Sequence, residues 1–278
     1  MHSLEHSISD SLKILPFLFI TYLIMEYLEK KTGDKANLWF EKAGKAGPVA
    51  GGLLGIIPQC GMSTVASNLY AGKIISMGTL IAVYLSTSDE MLPIMISYSV
   101  EGGIIAKVLI TKVIIAILAG FIVDFVSCKL KKEENSEMRI HDFCKNEHCH
   151  CEDGILKSSV SHTLHIFLFV LVITFVLNVG IEFVGEENLA NFILNKPVLG
   201  PILAGIIGLI PNCAASVIIT RMFLDGLMSF GTMIAGILVG AGVGILVLLR
   251  VNEDKIQSFR IIGTLYFIGT LCGIILNL

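Results

Sequence analysis

Two short stretches hold the residues best suited to chemistry: GLLGIIPQCGMS at 52–63 and GIIGLIPNCAAS at 205–216. Each sets a Pro, an amide and a thiol inside an otherwise apolar run. In hydrocarbon every backbone N–H and C=O must be satisfied within the protein. Pro58 and Pro211 each remove a donor and clash with the preceding turn. Gly52, Gly55 and Gly61 weaken the helix on either side of the first interruption. The pattern predicts two half-helices meeting near the bilayer middle at each site. Such ends offer a positive dipole at one terminus and free carbonyls at the other. Gln59 and Asn212 add hydrogen-bond donors and acceptors, and Cys60 and Cys213 add soft ligands. A single interruption of this kind is as well explained by a kink, with its Cys a small hydrophobe. Its recurrence at matching positions is the sequence pointer to a transporter's central site.

Two further groups follow. STSDEMLP, residues 86–93, sets Asp89 and Glu90 in an apolar segment behind three hydroxyls, which suggests a second unwound, oxygen-rich turn. Carboxylates inside a membrane are costly and functional by default. The other reading puts this pair at the membrane boundary. HDFCKNEHCHCEDG, residues 141–154, packs His141, Cys144, His148, Cys149, His150 and Cys151 among four acids. Short His/Cys-rich tracts bind soft or borderline metals, but the spacing is not that of a zinc finger. A flexible metal-collecting or metal-sensing tail is expected, against a plain polar linker.

The elements that must position these groups are membrane helices. Hydrophobic residues make up 54% of the 278 and charged residues 15%, and the mean hydropathy is +0.79. Apolar runs at 14–28, 106–126, 165–181 and 261–278 reach or approach the roughly 20 residues a spanning helix needs. The alternating ten-residue segments of a β-barrel do not occur. MHSLEHSISDSLK lacks a basic n-region and a cleavage site, so the first helix is expected to insert and stay. Seven Cys, an odd number with three crowded into one loop, are not a secreted disulfide framework.

The chain also repeats itself. Residues 47–82 align without a gap on 200–235, an offset of 153, with 13 of the 36 pairs identical. Pro, Gly and Cys all fall in register, which apolar composition alone would not give. The chain therefore reads as a first transmembrane repeat at 1–128, a His/Cys-rich linker at 129–154 and a second transmembrane repeat at 155–278. Short loops rich in Lys and Arg stay cytoplasmic. The 29–45 loop holds five Lys, whereas the equivalent 182–196 loop holds Glu182, Glu186 and Glu187 against Lys196. Later the bias swaps: 99–103 is acidic, and 250–260 carries Arg250, Lys255 and Arg260. Opposite bias at equivalent loops predicts inverted repeats, a cytoplasmic linker and both termini outside. Between 45 and 100 an odd number of crossings must fit. One span plus a re-entrant hairpin and three short crossings both satisfy that.

Taken together, the duplicated Pro-Gln-Cys and Pro-Asn-Cys interruptions, the STSDE stretch and the HCHC linker resemble the ten-segment heavy-metal exporters, a family of arsenic efflux and manganese transporters. The resemblance covers nearly the whole chain. It implies an all-α membrane protein of two inverted repeats with about five segments each, whose broken or re-entrant helices meet at the midplane. It also implies a multi-pass protein of the bacterial inner membrane. By motif position it assigns the transport site to Pro58, Gln59, Cys60, Asp89, Glu90, Pro211, Asn212 and Cys213. Carboxylates and amides suit manganese, thiols suit arsenite, and the two acids favour a divalent cation. No P-loop is present, so coupling falls to an ion gradient, a proton among the candidates, or to a separate subunit. No cofactor beyond the transported metal is expected. The expected partners are lipid and the metal, with a homo-oligomer left open and no nucleic acid. A metal channel is the nearest alternative. An intramembrane enzyme using Asp89 and Glu90 as acid and base is the other, although H-E-x-x-H and G-x-S-x-G are missing.

Overall fold

The computed structural model describes residues 46–56, 60–88, 91–130, 197–252 and 254–278, with scattered positions in 16–23 and 160–179. The expected spans at 14–28 and 165–181, and the 129–154 linker, lie outside the described residues apart from those positions and the last turn before 130.

Ten helices are bounded among the described residues, and every regular element is helical. In the first half they are α1 (Gly47–Leu54), α2 (Cys60–Ala71), α3 (Met77–Ser86), α4 (Met91–Ser97) and α5 (Gly102–Leu130). In the second they are α6 (Leu199–Gly208), α7 (Cys213–Leu224), α8 (Phe230–Val239), α9 (Gly244–Val251) and α10 (Lys255–Asn277). The repeat seen over 47–82 extends through all five. Adding 153 to the limits of α2 and α3 gives those of α7 and α8, and the starts of α4 and α5 give those of α9 and α10.

The same local chemistry builds both copies. Ser76 caps α3 by accepting from Thr79 N at 3.1 Å, and Ser229 caps α8 by accepting from Thr232 N at 3.3 Å. Such caps satisfy one of the free N–H groups at a helix start. The α2 and α7 helices both end in a 6→1 bond, Ile74 N to Leu69 O and Leu227 N to Met222 O. The turn that closes each puts Lys73 (φ 57°) and Gly226 (φ 72°) in the left-handed region.

Close glycine contacts fix how the chain runs. Gly47 and Gly51 of α1 and Gly55, its C-cap, lie in turn against Thr79, Val83 and Ser86 of α3. The helices α1 and α3 are therefore parallel and level. Pro48 and Gly78 both meet Gly120 of α5, and α3 runs antiparallel to α5. The α2 helix must accordingly carry the chain back to the level at which α1 began. With 8 and 12 residues, α1 and α2 rise about 12 and 18 Å, short of a ~30 Å hydrocarbon core. The segment 46–72 is thus a returning hairpin, not two of three short crossings. Gly208 against Gly236 and Gly240 repeats this arrangement for α6 and α8.

Four spans are long and apolar enough to cross a membrane among the described residues: Met77–Ser97, Gly102–Cys128, Phe230–Val251 and Lys255–Asn277. The first and third are interrupted, at Thr87 and Ser88 and at 240–243. These broken spans are also the central ones, 75% and 89% buried, against 33% and 28% for α5 and α10. Ile114, Leu118, Phe267 and Ile275 on the outer pair are exposed, as suits helices that face lipid.

The two halves interlock. The hairpin helix α2 packs on α9 of the second half, and α7 packs on α4 of the first. Each hairpin thus returns along the far piece of the other half's broken span. The contact between the halves is thus reciprocal.

Candidate metal-transport site

Four interruptions of helix meet in the interior. The first hairpin tip follows α1, and Gly55 there sits against Ser86, the last residue of α3. Ser86 Oγ donates to Val83 O at 3.0 Å and to Gly51 O at 3.4 Å, tying hairpin to broken span. The second tip, 209–212, follows Gly208, whose backbone lies against Gly236 and Gly240. The halves join where Gly244, opening α9, lies against Ser63 of α2. No side chain fits between them, which is the local reason for glycine at 244.

This interior is polar. Thr87 and Ser88 are buried, as are Ser63, Thr64, Ser67 and Asn68 of α2 and Thr220 of α7. At the end of α3 local hydroxyls bond the last carbonyls: Thr87 Oγ1 donates at 2.7 Å to Val83 O, which also accepts from Thr87 N at 2.9 Å, and Ser88 Oγ donates to Ser86 O at 3.1 Å. The oxygen-rich turn expected at 86–88 is present, and Met91 beyond it is fully buried. A second polar contact crosses the halves. Ser67 Oγ bonds Tyr84 Oη at 2.7 Å and donates to Gly244 O at 2.8 Å, while Tyr84 Oη reaches the same carbonyl at 3.2 Å.

Of the residues assigned from sequence, Asn212 is buried and Pro211 half-buried at the second tip. There Asn212 N donates to Ile210 O at 2.7 Å and Ala215 N to Asn212 O at 3.3 Å, which starts α7 after the interruption. Cys60 and Cys213 open α2 and α7, so the thiol positions stand at equivalent helix starts. Their side chains, together with Pro58, Gln59, Asp89 and Glu90, lie outside the described residues. So do His141, Cys144, His148, Cys149, His150 and Cys151. Among the described residues no group of three or more His, Cys, Asp or Glu is placed to hold a metal.

Sequence reasoning missed two features of this centre. One is the break at 240–243, which carries no charge and reads as a flexible apolar run. Gly242, at φ 54°, is the residue that lets the chain turn there. The other is Lys112. It lies within one turn of the midpoint of the 102–128 span and is fully buried. Its Nζ donates to Thr87 O and, at 3.5 Å, to Ile237 O of the second half. The signal was available, since a lone cation inside ITKVIIAIL costs about 2.5–3.5 kcal/mol at a bilayer centre and seldom stands there without a role.

Asp124, near the end of α5, has a structural task. It accepts from Ser76 Oγ and from Gly78 N, both at 2.7 Å, and so holds an anion at the start of α3. Asn277 repeats the first bond in the second half, accepting from Ser229 Oγ at 2.7 Å.

No curated protein and no solved structure matches this chain. A family model matches residues 2–184, two thirds of the chain, and reaches into the second repeat. With its apolar broken spans and interlocked halves, the protein belongs to the family described as "Putative, 10TM heavy-metal exporter".

Proposed function

We propose that the protein is a secondary transporter that exports a heavy-metal species by alternating access, with a divalent cation such as manganese favoured over an arsenic species. One observation carries this reading: interruptions from both halves converge on a buried centre rich in hydroxyls and helix-end carbonyls. Broken helices with unwound carbonyls at a repeat interface are how transporter folds hold an ion in lipid. Asp89 and Glu90 follow the unwound turn and would supply the charge a hard divalent ion requires. Cys60, Cys213, Gln59 and Asn212 would line the same centre from the hairpin tips. Pro58 and Pro211 would keep those tips open.

Inverted repeats agree with this picture. A returning hairpin leaves the chain on the side it entered, so 46–100 crosses once, through the broken span. Adding one crossing at 14–28 and one at α5 gives three per half, an odd number. An odd count turns the second half over, as the loop charges require. The 129–154 linker then faces the cytoplasm, where reduced thiols at Cys144, Cys149 and Cys151 can collect metal ahead of export.

Proteoliposomes loaded separately with Mn²⁺, Zn²⁺, Fe²⁺ or arsenite test the assignment. Wild type is expected to move Mn²⁺ in a saturable manner that depends on a counter-ion gradient. Asp89→Asn, Cys60→Ala and Cys213→Ala should lower that flux at least tenfold, about 1.4 kcal/mol in the rate-limiting step. Equal flux of every species through all three variants would end the site assignment. Flux that neither saturates nor responds to a gradient would mark a channel.

A further inference from the structure

We propose that Lys112 is a tethered cation occupying a cation seat between the two halves, and that a neutral residue at 112 would open that seat to a free monovalent ion. This inference concerns the centre assigned above and rests on that reading only for its place in transport.

Three observations meet at this residue. First, the partners of the ammonium include two main-chain carbonyls, Thr87 O and Ile237 O, which lie 25 and 125 residues away in sequence. Second, both carbonyls stand at the C-terminal ends of corresponding helices in the two repeats, α3 and α8. Thr87 is the C-cap of α3, and Ile237 is in the last turn of α8, which ends at Val239. The C-terminal turn of a helix has carbonyls without amide partners and carries the negative end of the dipole. Around Ile237 the ladder has already changed: Ala241 N bonds Val239 O, not the carbonyl of residue 237. Third, the position is one-sided. The counterpart of Lys112 at the 153 offset is Leu265, also fully buried. The chain therefore places one cation where the negative ends of two half-helices from different repeats converge. In other chains built from broken helices that place suits a bound monovalent ion. Here a side chain supplies the charge, so the joint between halves is held without a dissociable ion.

The same seat bears on the transport cycle. Alternating access requires the halves to shift against each other, and the Thr87–Lys112–Ile237 bridge spans the boundary that must move. Lys112 is thus a positioning residue. It holds the unwound turn at 87–88, and hence the segment leading to Asp89 and Glu90, in register with the second half.

The test uses the full chain in detergent and reads thermal unfolding in choline chloride against NaCl or ethylammonium chloride at equal ionic strength. Wild type should be indifferent to the salt. Lys112→Met and Lys112→Gln leave the helix-end carbonyls without their cation and should unfold about 5 °C lower in choline chloride. Sodium or ethylammonium should restore them in a saturable way, and choline, too large for the seat, should not. Lys112→Arg, which keeps the charge, should remain indifferent. Neutral variants as stable as wild type, or weakened but unrestored by either small cation, would overturn the proposal. So would a wild type that itself responds to sodium. If the neutral variants do not accumulate, Lys112→Arg decides: its failure to fold would equally refute a seat defined by charge. Loss of metal flux with the salt responses intact would count against the transport assignment and leave the seat standing.

Discussion

Replacing Gly244 by Ala tests the contact on which the interlocked halves depend. A methyl on Gly244 would sit 2.7 Å from Ser63 Cβ and 2.9 Å from Ser63 C, so α2 and α9 must separate. Overpacking of this kind costs about 1–3 kcal/mol. Separation also stretches the two bonds that Gly244 O accepts, from Ser67 Oγ at 2.8 Å and Tyr84 Oη at 3.2 Å. Side-chain hydrogen bonds between membrane helices average about 0.6 kcal/mol each. The expected loss is therefore about 2–4 kcal/mol. Gly263→Ala is the control. Gly263 lies inside α10 with nothing within 4 Å of an added methyl. There the same substitution should stabilise by about 0.5–1 kcal/mol, because Ala forms helix better than Gly. Equilibrium unfolding in mixed SDS and dodecylmaltoside micelles, followed by helicity, measures both. Two variants within about 0.5 kcal/mol of each other would refute the close approach of α2 to α9, and with it the reciprocal packing of the halves.

Asp124→Asn should weaken the protein by about 2 kcal/mol in the same assay, since two charge-assisted bonds to Ser76 and Gly78 become neutral ones. Metal selectivity should be unchanged in that variant, and a changed selectivity in vesicle flux would contradict a purely structural Asp124. Lys73→Gly should stabilise by about 1 kcal/mol, because Lys73 holds φ 57° where its repeat partner is Gly226. The converse Gly226→Ala should destabilise by a similar amount, and unfolding midpoints of the pair with opposite signs would confirm the shared helix ending.

What local chemistry controls could be read from residue types and their spacing. Apolar length marked the run at 106–126, and Pro211 and the hydroxyls at 86–88 marked where helix stops, because a missing donor or a competing side chain acts within one turn. The 153-residue offset was legible because duplicated chains keep their Pro and Gly in register. The remainder came from packing. Whether 46–72 crosses or returns depends on Gly47, Gly51 and Gly55 lying level with α3, a packing choice that no hydropathy pattern records. The joining of Ser63 to Gly244, and of Thr87 to Ile237 through Lys112, links residues more than a hundred positions apart. Such pairings follow from how backbones approach where side chains are small, and a linear pattern of residue types does not contain that information.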